Sequence, residues 1–193
     1  MKTASLSGSL RENVGKKDSA QIRKEERVPG VLYGGKEQKH FTVAKLDIDR
    51  LVFNPDTFLI TLDLGGHKAD AIIKEVQFHP VTDKIIHIDF FEVSATKPVK
   101  VQLPVRTTGT SEGVLGGGRL AINFRKLEIK GLTSDLPECI EIDITKLNVG
   151  DKVRVAHLNI PGCTLTQAGS AVVVDIRSTR ATMQAKAEEK AGK

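Results

Sequence analysis

The sequence predicts a mostly β protein with two domains. Apolar and polar residues alternate with a period of two over most of the chain, a pattern typical of half-buried strands. The chain has 193 residues, of which 39% are hydrophobic and 27% charged. That length and composition are sufficient for two small domains, each with its own core. The clearest alternating runs are Phe58–Leu64, Lys84–Val93, Cys139–Ile144 and Ala171–Ile176.

Helical spacing occurs only in the first half of the chain. Lys45–Phe53 places its apolar residues at helix-compatible intervals, and Lys17–Arg27 is a shorter, polar candidate. We therefore expect one or two short helices in the first half and none beyond it. The pair Gly65–Gly66 lies between two strand-like runs and indicates a hairpin turn.

The domain boundary is predicted near Ser94–Pro98, where strand-like sequence meets small residues and a proline. This gives a first domain at residues 1–95 and a second at 96–177. The segment Thr107–Gly118 is rich in Gly, Ser and Thr, so we expect an exposed loop or a hairpin connection. Residues 178–193 have nothing to bury and are predicted to be a disordered or loosely helical tail.

Composition excludes several classes of protein. No stretch approaches the roughly 20 apolar residues of a membrane helix, and the N-terminus lacks the apolar region of a secretory signal. A cytoplasmic protein without a membrane partner is expected. Only Cys139 and Cys163 are present, with no CxxC pair, so neither a zinc site nor any other cofactor is predicted.

Charge is distributed unevenly along the first domain. Residues 1–45 contain ten Lys or Arg against five Asp or Glu, whereas residues 46–95 contain four against nine. The basic segment Arg11–Gly35 holds Arg11, Lys16 and Arg23 in a polar sequence. Cations of this kind neutralise nucleic-acid phosphates, although a solvated surface loop has the same composition.

A second segment, Glu75–Val93, carries the side chains that could do chemistry. Strict alternation would place Ile85, His87, Asp89 and Phe91 on one face of a strand. Four interpretations remain open on residue types. They are a transition-metal site formed with His79, a general-base pair, a polar face that hydrogen-bonds RNA base edges and 2′-hydroxyls, and a hydrogen-bonded surface pair. No nucleophile motif such as GxSxG accompanies the pair.

The two segments together resemble one family, the bacterial ribosomal protein L twenty-five family of 5S-rRNA-binding proteins. The resemblance is to its long, two-domain form, also called general stress protein Ctc. The motifs that carry it are Arg11, Gly15-Lys16, Arg23, the run Pro29–Gly35 (PGVLYGG), the run Glu75–Pro80 (EVQFHP) and the run His87–Phe90 (HIDF). The resemblance implies a six-stranded β-barrel-like N-terminal domain with short helices and a C-terminal all-β domain.

The resemblance also implies the binding residues for the loop E region of 5S rRNA. Phosphates and sugars would be contacted by Arg11, Lys16, Ser19 and Arg23. The RNA minor groove would face Tyr33, Gln77, His87 and Asp89. The chain departs from the family where Ala20, Gln21 and Phe78 occupy positions that are commonly basic. We therefore expect RNA binding that is weaker and less salt-sensitive than in a fully basic member.

The functional expectation is a structural constituent of the large ribosomal subunit, not an enzyme, with no small-molecule substrate. Its expected partners are 5S rRNA and the large subunit, with neighbouring ribosomal proteins as candidates for the C-terminal domain. The alternatives are an off-ribosome stress factor that recruits proteins through the C-terminal domain, and a small metal-dependent hydrolase.

Overall fold

The computed structural model describes residues 1–35, 37–94, 96–180 and 182–183. The chain forms two compact units. Unit 1 comprises Met1–Val101 with Gly131–Glu138, and unit 2 comprises Gln102–Lys130 with Cys139–Lys193. Domain limits at 95 and 177 stay a prediction, and residues 181 and 184–193 of the predicted tail lie outside the described residues.

Unit 1 contains a closed six-stranded barrel, as the resemblance implied. The strand order around the barrel is β1-β3-β2-β6-β5-β4. The β1–β4 and β2–β6 pairs are parallel, and the other neighbours are antiparallel. The strands are β1 (Lys2–Leu10), β2 (Arg27–Tyr33), β3 (Lys39–Ala44), β4 (Phe58–Asp63), β5 (Lys68–Phe78) and β6 (Ile85–Glu92).

Alternation along these strands fills the barrel with apolar side chains. The largest of them, including Phe41, Ile60, Ile88 and Phe90, are at most 1% exposed. The predicted hairpin joins β4 to β5, where Leu64 N–H donates to the His67 carbonyl at 3.0 Å. Gly65 and Gly66 have φ of 67° and 102°, the left-handed values that a tight hairpin turn requires.

Two short helices belong to unit 1, as expected. α1 (Lys16–Lys24) connects β1 to β2 and buries only Ile22, which accounts for its polar sequence. α2 (Lys45–Val52) follows β3 directly and places Ile48 in the barrel core, 0% exposed.

Unit 2 and the strand that leads into it are also mostly β. A four-stranded sheet has the order β10-β7-β9-β12, and a three-stranded sheet has the order β11-β13-β8. The strands are β7 (Val99–Thr108), β8 (Arg119–Ile122), β9 (Lys126–Gly131), β10 (Ile140–Asp143), β11 (Lys152–Arg154), β12 (Cys163–Leu165) and β13 (Val172–Arg177). Leu103, Leu127, Ile129 and Val174 are fully buried.

The expectation that helices occur only in the first half is wrong. α3 (Glu112–Leu115) lies inside the segment predicted as a loop, and a single 3-10 turn covers Val155–His157. Ser111 explains α3: its Oγ accepts from the N–H groups of Gly113 and Val114, at 3.1 and 3.4 Å. The same hydroxyl donates to the Leu147 carbonyl at 2.6 Å. A capped turn is therefore stable in a glycine-rich sequence that lacks helical periodicity. No helix within the described ranges is long and apolar enough to cross a membrane.

Candidate nucleic-acid interface

The outer surface of three adjacent barrel strands brings four predicted site residues together. Tyr33 lies at the end of β2, His87 and Asp89 on β6, and Gln77 on β5. Gln77 lies directly opposite His87, and Tyr33 opposite Phe91. Glu75, which sequence reasoning did not single out, lies opposite Asp89. We call the outward set Tyr33, Glu75, Gln77, His87, Asp89 and Phe91 the sheet face.

A β-bulge at Ile86 gives His87 its outward orientation. Phe78 is opposite Ile85 and Gln77 is opposite His87, so Ile86 is an extra residue on β6. Ile85 is 4% exposed and belongs to the barrel core with Ile88 and Phe90. The predicted grouping of Ile85 with His87 and Asp89 is therefore wrong, because the bulge shifts the alternation by one residue.

His87 and Asp89 form a hydrogen-bonded pair on the sheet face. The His87 Nδ1 to Asp89 Oδ1 distance is 2.8 Å, and each side chain is about one quarter exposed, at 28% and 26%. With Nδ1 directed at the carboxylate, Nε2 is the ring nitrogen left to bind a partner. The second carboxylate oxygen of Asp89 remains an acceptor.

Tyr33 is packed edge-on against Phe91, with ring centroids 5.6 Å apart and an interplanar angle of 77°. Burial raises the pKa of the Tyr33 phenol, and the negative charges of Asp89 and Glu75 raise it further. The hydroxyl therefore stays protonated at neutral pH and can donate a hydrogen bond.

Helix α1 lies along β2, beside the sheet face. Its one buried side chain, Ile22, faces the protein. Arg23 Nε donates to the carbonyl oxygen of Ile86 at 3.1 Å. This hydrogen bond ties the helix to β6 at the bulge. Lys16 is exposed at the first turn of the helix.

Arg11 and Ser19 are held by hydrogen bonds at the start of helix α1. The Arg11 guanidinium donates to Asp18 Oδ2 at 2.8 Å and to Ser19 Oγ at 3.2 Å, and its side chain is 9% exposed. Arg11 N–H also donates to the His40 carbonyl at 3.0 Å. Sequence reasoning missed Asp18 as the carboxylate that holds Arg11, because only the helix fold brings the two together.

His79 does not join the His87–Asp89 pair. Its Nδ1 accepts from the N–H groups of Val81 and Thr82, both at 3.3 Å, and so closes the turn after β5. In the part of the chain that the structure describes, no three His, Cys, Asp or Glu side chains are grouped closely enough to hold a metal ion.

The departures at Ala20, Gln21 and Phe78 are all solvent-exposed positions. Phe78 is 44% exposed and packs against Phe53, with ring centroids 6.3 Å apart. An apolar ring therefore stands where a cation was expected, next to Gln77 on the strand.

Comparisons with known proteins agree with this architecture. The family model described as "Ribosomal L25p family" matches residues 6–90, and "Ribosomal protein TL5, C-terminal domain" matches residues 98–180. A Porphyromonas gingivalis protein named "Large ribosomal subunit protein bL25" is 46% identical over 94% of this chain and 95% of its own length. Proteins of the same name from Phocaeicola vulgatus and Amoebophilus asiaticus are 39% and 38% identical, covering 97% and 100% of this chain and 98% of each relative.

The barrel, the second β unit and these matches define a structural ribosomal protein, not an enzyme. Sequence identity of 38–46% over nearly the full length shows common descent with these proteins. The chain belongs to the Ribosomal L25p family, with a TL5-type C-terminal domain.

Proposed function

We propose that this chain is a structural constituent of the large ribosomal subunit and binds 5S rRNA, in its loop E region, through unit 1. The sheet face addresses the RNA minor groove, and helix α1 holds the adjacent backbone. Association with the ribosome would place the protein in the cytoplasm. The observation that carries the proposal is the His87–Asp89 pair, set outward by the Ile86 bulge beside a cationic helix.

The charges on the sheet face favour contact with an RNA groove over contact with the RNA phosphate backbone. Asp89 and Glu75 are directly opposite each other there, so phosphates are repelled from its centre. The wide, shallow minor groove of A-form RNA presents 2′-hydroxyls and base edges, and carboxylates accept hydrogen bonds from both. Cations for the flanking phosphates are available from α1.

The sheet face offers a mixed set of donors and acceptors for that groove. Tyr33 donates, Asp89 accepts, and the Gln77 amide does both. His87 presents Nε2, with the ring oriented by its bond to Asp89. Because the carboxylate fixes the ring, the histidine loses little conformational freedom on binding.

The four residues expected to contact the RNA backbone divide into two that can bind phosphates directly and two that position helix α1. Lys16 and Arg23 are exposed and can reach phosphates. Arg11 and Ser19 hold the start of α1 through Asp18, so their contribution to RNA binding includes positioning of the helix.

The test is a salt titration of binding to a 5S rRNA loop E fragment and to a scrambled-loop control. Lys16→Ala should weaken binding and reduce the log-log salt slope by roughly 0.7–0.9, the value for one phosphate contact. His87→Ala should weaken binding to loop E, with little change in slope, because it removes a groove contact.

A matched charge control is Lys68→Ala. Lys68 is exposed at the start of β5, nine residues and therefore roughly 30 Å from Gln77 along the strand. The Lys68→Ala variant should leave the affinity for RNA and the log-log salt slope unchanged. Equal affinity of the wild-type protein for both RNAs would overturn the proposal, as would equal effects of Lys68→Ala and Lys16→Ala.

A further inference from the structure

The three-stranded sheet of unit 2 places two arginines directly opposite each other. Arg119 on β8 is the cross-strand partner of Arg177 on the antiparallel strand β13. Both are exposed, and the Arg177 side chain is 60% exposed. Side chains that are directly opposite in such a pair have Cβ atoms about 4.5–5.5 Å apart, and like charges at that distance repel.

The same side of the sheet carries a third cation. In the next outward row, Lys152 on β11 lies opposite Asp175, and Asp175 lies opposite Ala121 on β8. Val173, Val174, Asp175 and Ile176 on the central strand are all buried, whereas Arg119, Lys152 and Arg177 are exposed, so it is these three cations that reach solvent at this end of the sheet. This end of the sheet therefore presents three exposed cations beside one buried carboxylate, Asp175.

That single carboxylate is already engaged. Asp175 is 8% exposed and accepts from Asn123 Nδ2 at 3.0 Å and from Arg177 Nε at 2.9 Å. Arg177 also donates to Asn123 Oδ1 at 3.0 Å. The ring of three side chains fixes the Arg177 guanidinium. Among the residues that the structure describes, neither the Arg119 nor the Lys152 side chain has a hydrogen-bond or ion-pair partner.

We propose that this surface, formed by Arg119, Lys152 and Arg177, is a contact for RNA phosphates. An anion seated between Arg119 and Arg177 relieves their mutual repulsion, and Nη1 of the fixed Arg177 guanidinium, which makes neither of these two bonds, can donate to it. A phosphodiester backbone supplies such anions in series, so Lys152 in the neighbouring row can reach a second one. Unit 2 thereby gains a binding role that is independent of loop E and of the sheet face in unit 1.

The test compares full-length variants in a salt titration against a mixed-sequence RNA duplex that lacks loop E. Arg119→Gln combined with Lys152→Gln removes two of the three cations and leaves the Asn123–Asp175–Arg177 ring intact. The matched control is Lys126→Gln combined with Lys130→Gln. Both lysines are exposed on β9 in the other sheet, so the net charge of the two double variants is the same.

The first double variant should reduce the log-log salt slope by about 1.4–1.8, the value for two phosphate contacts, and the control should leave it unchanged. Equal slopes for the two double variants would overturn the proposal. Polyglutamate serves as a second probe. If it binds the wild-type protein as tightly as the duplex and loses binding only in the first variant, the surface fits an acidic protein and the RNA assignment is wrong.

A thermal measurement separates this role from a merely structural one. At low salt, Arg119→Gln should unfold at the same or a higher temperature than the wild type, because it removes a repulsion. Inorganic phosphate, compared with chloride at equal ionic strength, should raise the unfolding temperature of the wild type more than that of Arg119→Gln. A clear loss of stability in Arg119→Gln, with an equal response to phosphate, would overturn the proposal.

Discussion

Arg23 connects helix α1 to the bulge of β6, since its Nε donates to the Ile86 carbonyl oxygen at 3.1 Å. Ile86 is the extra residue of this bulge, and the same bulge sets His87 outward. Helix position and histidine orientation are therefore coupled through one hydrogen bond.

Arg23→Ala should lower the free energy of unfolding by about 1 kcal/mol, the usual net value of such a bond. The measurement is urea denaturation followed by circular dichroism. Lys24→Ala is the control, because Lys24 is an exposed neighbour on the same helix. Equal effects of the two substitutions would show that the bond to Ile86 does not stabilise the helix.

Arg11 and Asp18 should show a measurable interaction energy. Their 2.8 Å ion pair is shielded on the arginine side, where the side chain is 9% exposed, whereas Asp18 is 36% exposed. A double-mutant cycle with Arg11→Ala and Asp18→Ala should give a coupling of about 1 kcal/mol, at the upper end for partly exposed pairs. If the two substitutions lower the free energy of unfolding additively in urea denaturation, the ion pair does not stabilise the fold.

The barrel strands were predictable because burial on one side imposes alternation. Phe58–Leu64 and Lys84–Val93 alternate apolar and polar residues and form β4 and β6. The Ile86 bulge was not predictable from that pattern. An extra residue on one strand is detectable only against its partner, and the pairing of Gln77 with His87 is a property of the sheet.

The candidate site was predictable only in part, for a similar reason. Tyr33, Gln77, His87 and Asp89 were named from motifs, and the structure brings them together on adjacent strands. Glu75 was missed, although it precedes Gln77 by two residues and so shares its side of β5. The α3 helix was missed because its stability depends on Ser111 bonding to Leu147, 36 positions away.

Gly34 should tolerate no side chain, because of its neighbour Phe91. Its φ is 99°, and an added Cβ would lie 2.7 Å from the Phe91 ring. Gly66 has nearly the same φ, 102°, with open space around it. Gly66→Ala should therefore cost only the left-handed backbone term of about 1–2 kcal/mol, and Gly34→Ala should cost more.

The difference in unfolding temperature between Gly34→Ala and Gly66→Ala measures the destabilisation that the clash with Phe91 causes. Because Phe91 packs on Tyr33, Gly34→Ala should also weaken loop E binding, whereas Gly66→Ala should not. Equal unfolding temperatures would mean that the Phe91 ring moves aside without cost.

Phe78→Arg should raise the salt sensitivity of RNA binding. The ring is 44% exposed at the end of β5, next to Gln77, where a guanidinium could reach a phosphate. One added phosphate contact would steepen the log-log salt slope by roughly 0.7–0.9. The control is Phe78→Leu, which removes the ring contact with Phe53 without adding charge. An unchanged slope in Phe78→Arg would place this strand end away from the RNA backbone.

Tyr33 provides a direct pH test of the sheet face, because it is the one tyrosine in the chain. Its pKa is raised by burial first, then by Asp89 and Glu75. The folded protein therefore holds the phenolic proton more tightly than the unfolded chain. The contribution of Tyr33 to the free energy of unfolding should therefore be constant below the unfolded pKa of about 10. It should fall as the pH rises through the pKa of the folded protein.

The ultraviolet absorbance of the phenolate reports this ionisation without interference from other tyrosines. The midpoint in the folded protein should lie above that of the urea-unfolded chain, and Asp89→Asn should lower it, because one of the negative charges is removed. Loop E RNA should raise the midpoint further if the phenol donates to the groove, since binding then favours the protonated form. A midpoint that RNA leaves unchanged, at saturating concentration, would remove Tyr33 from the interface and leave His87, Asp89 and Gln77 as its polar centre.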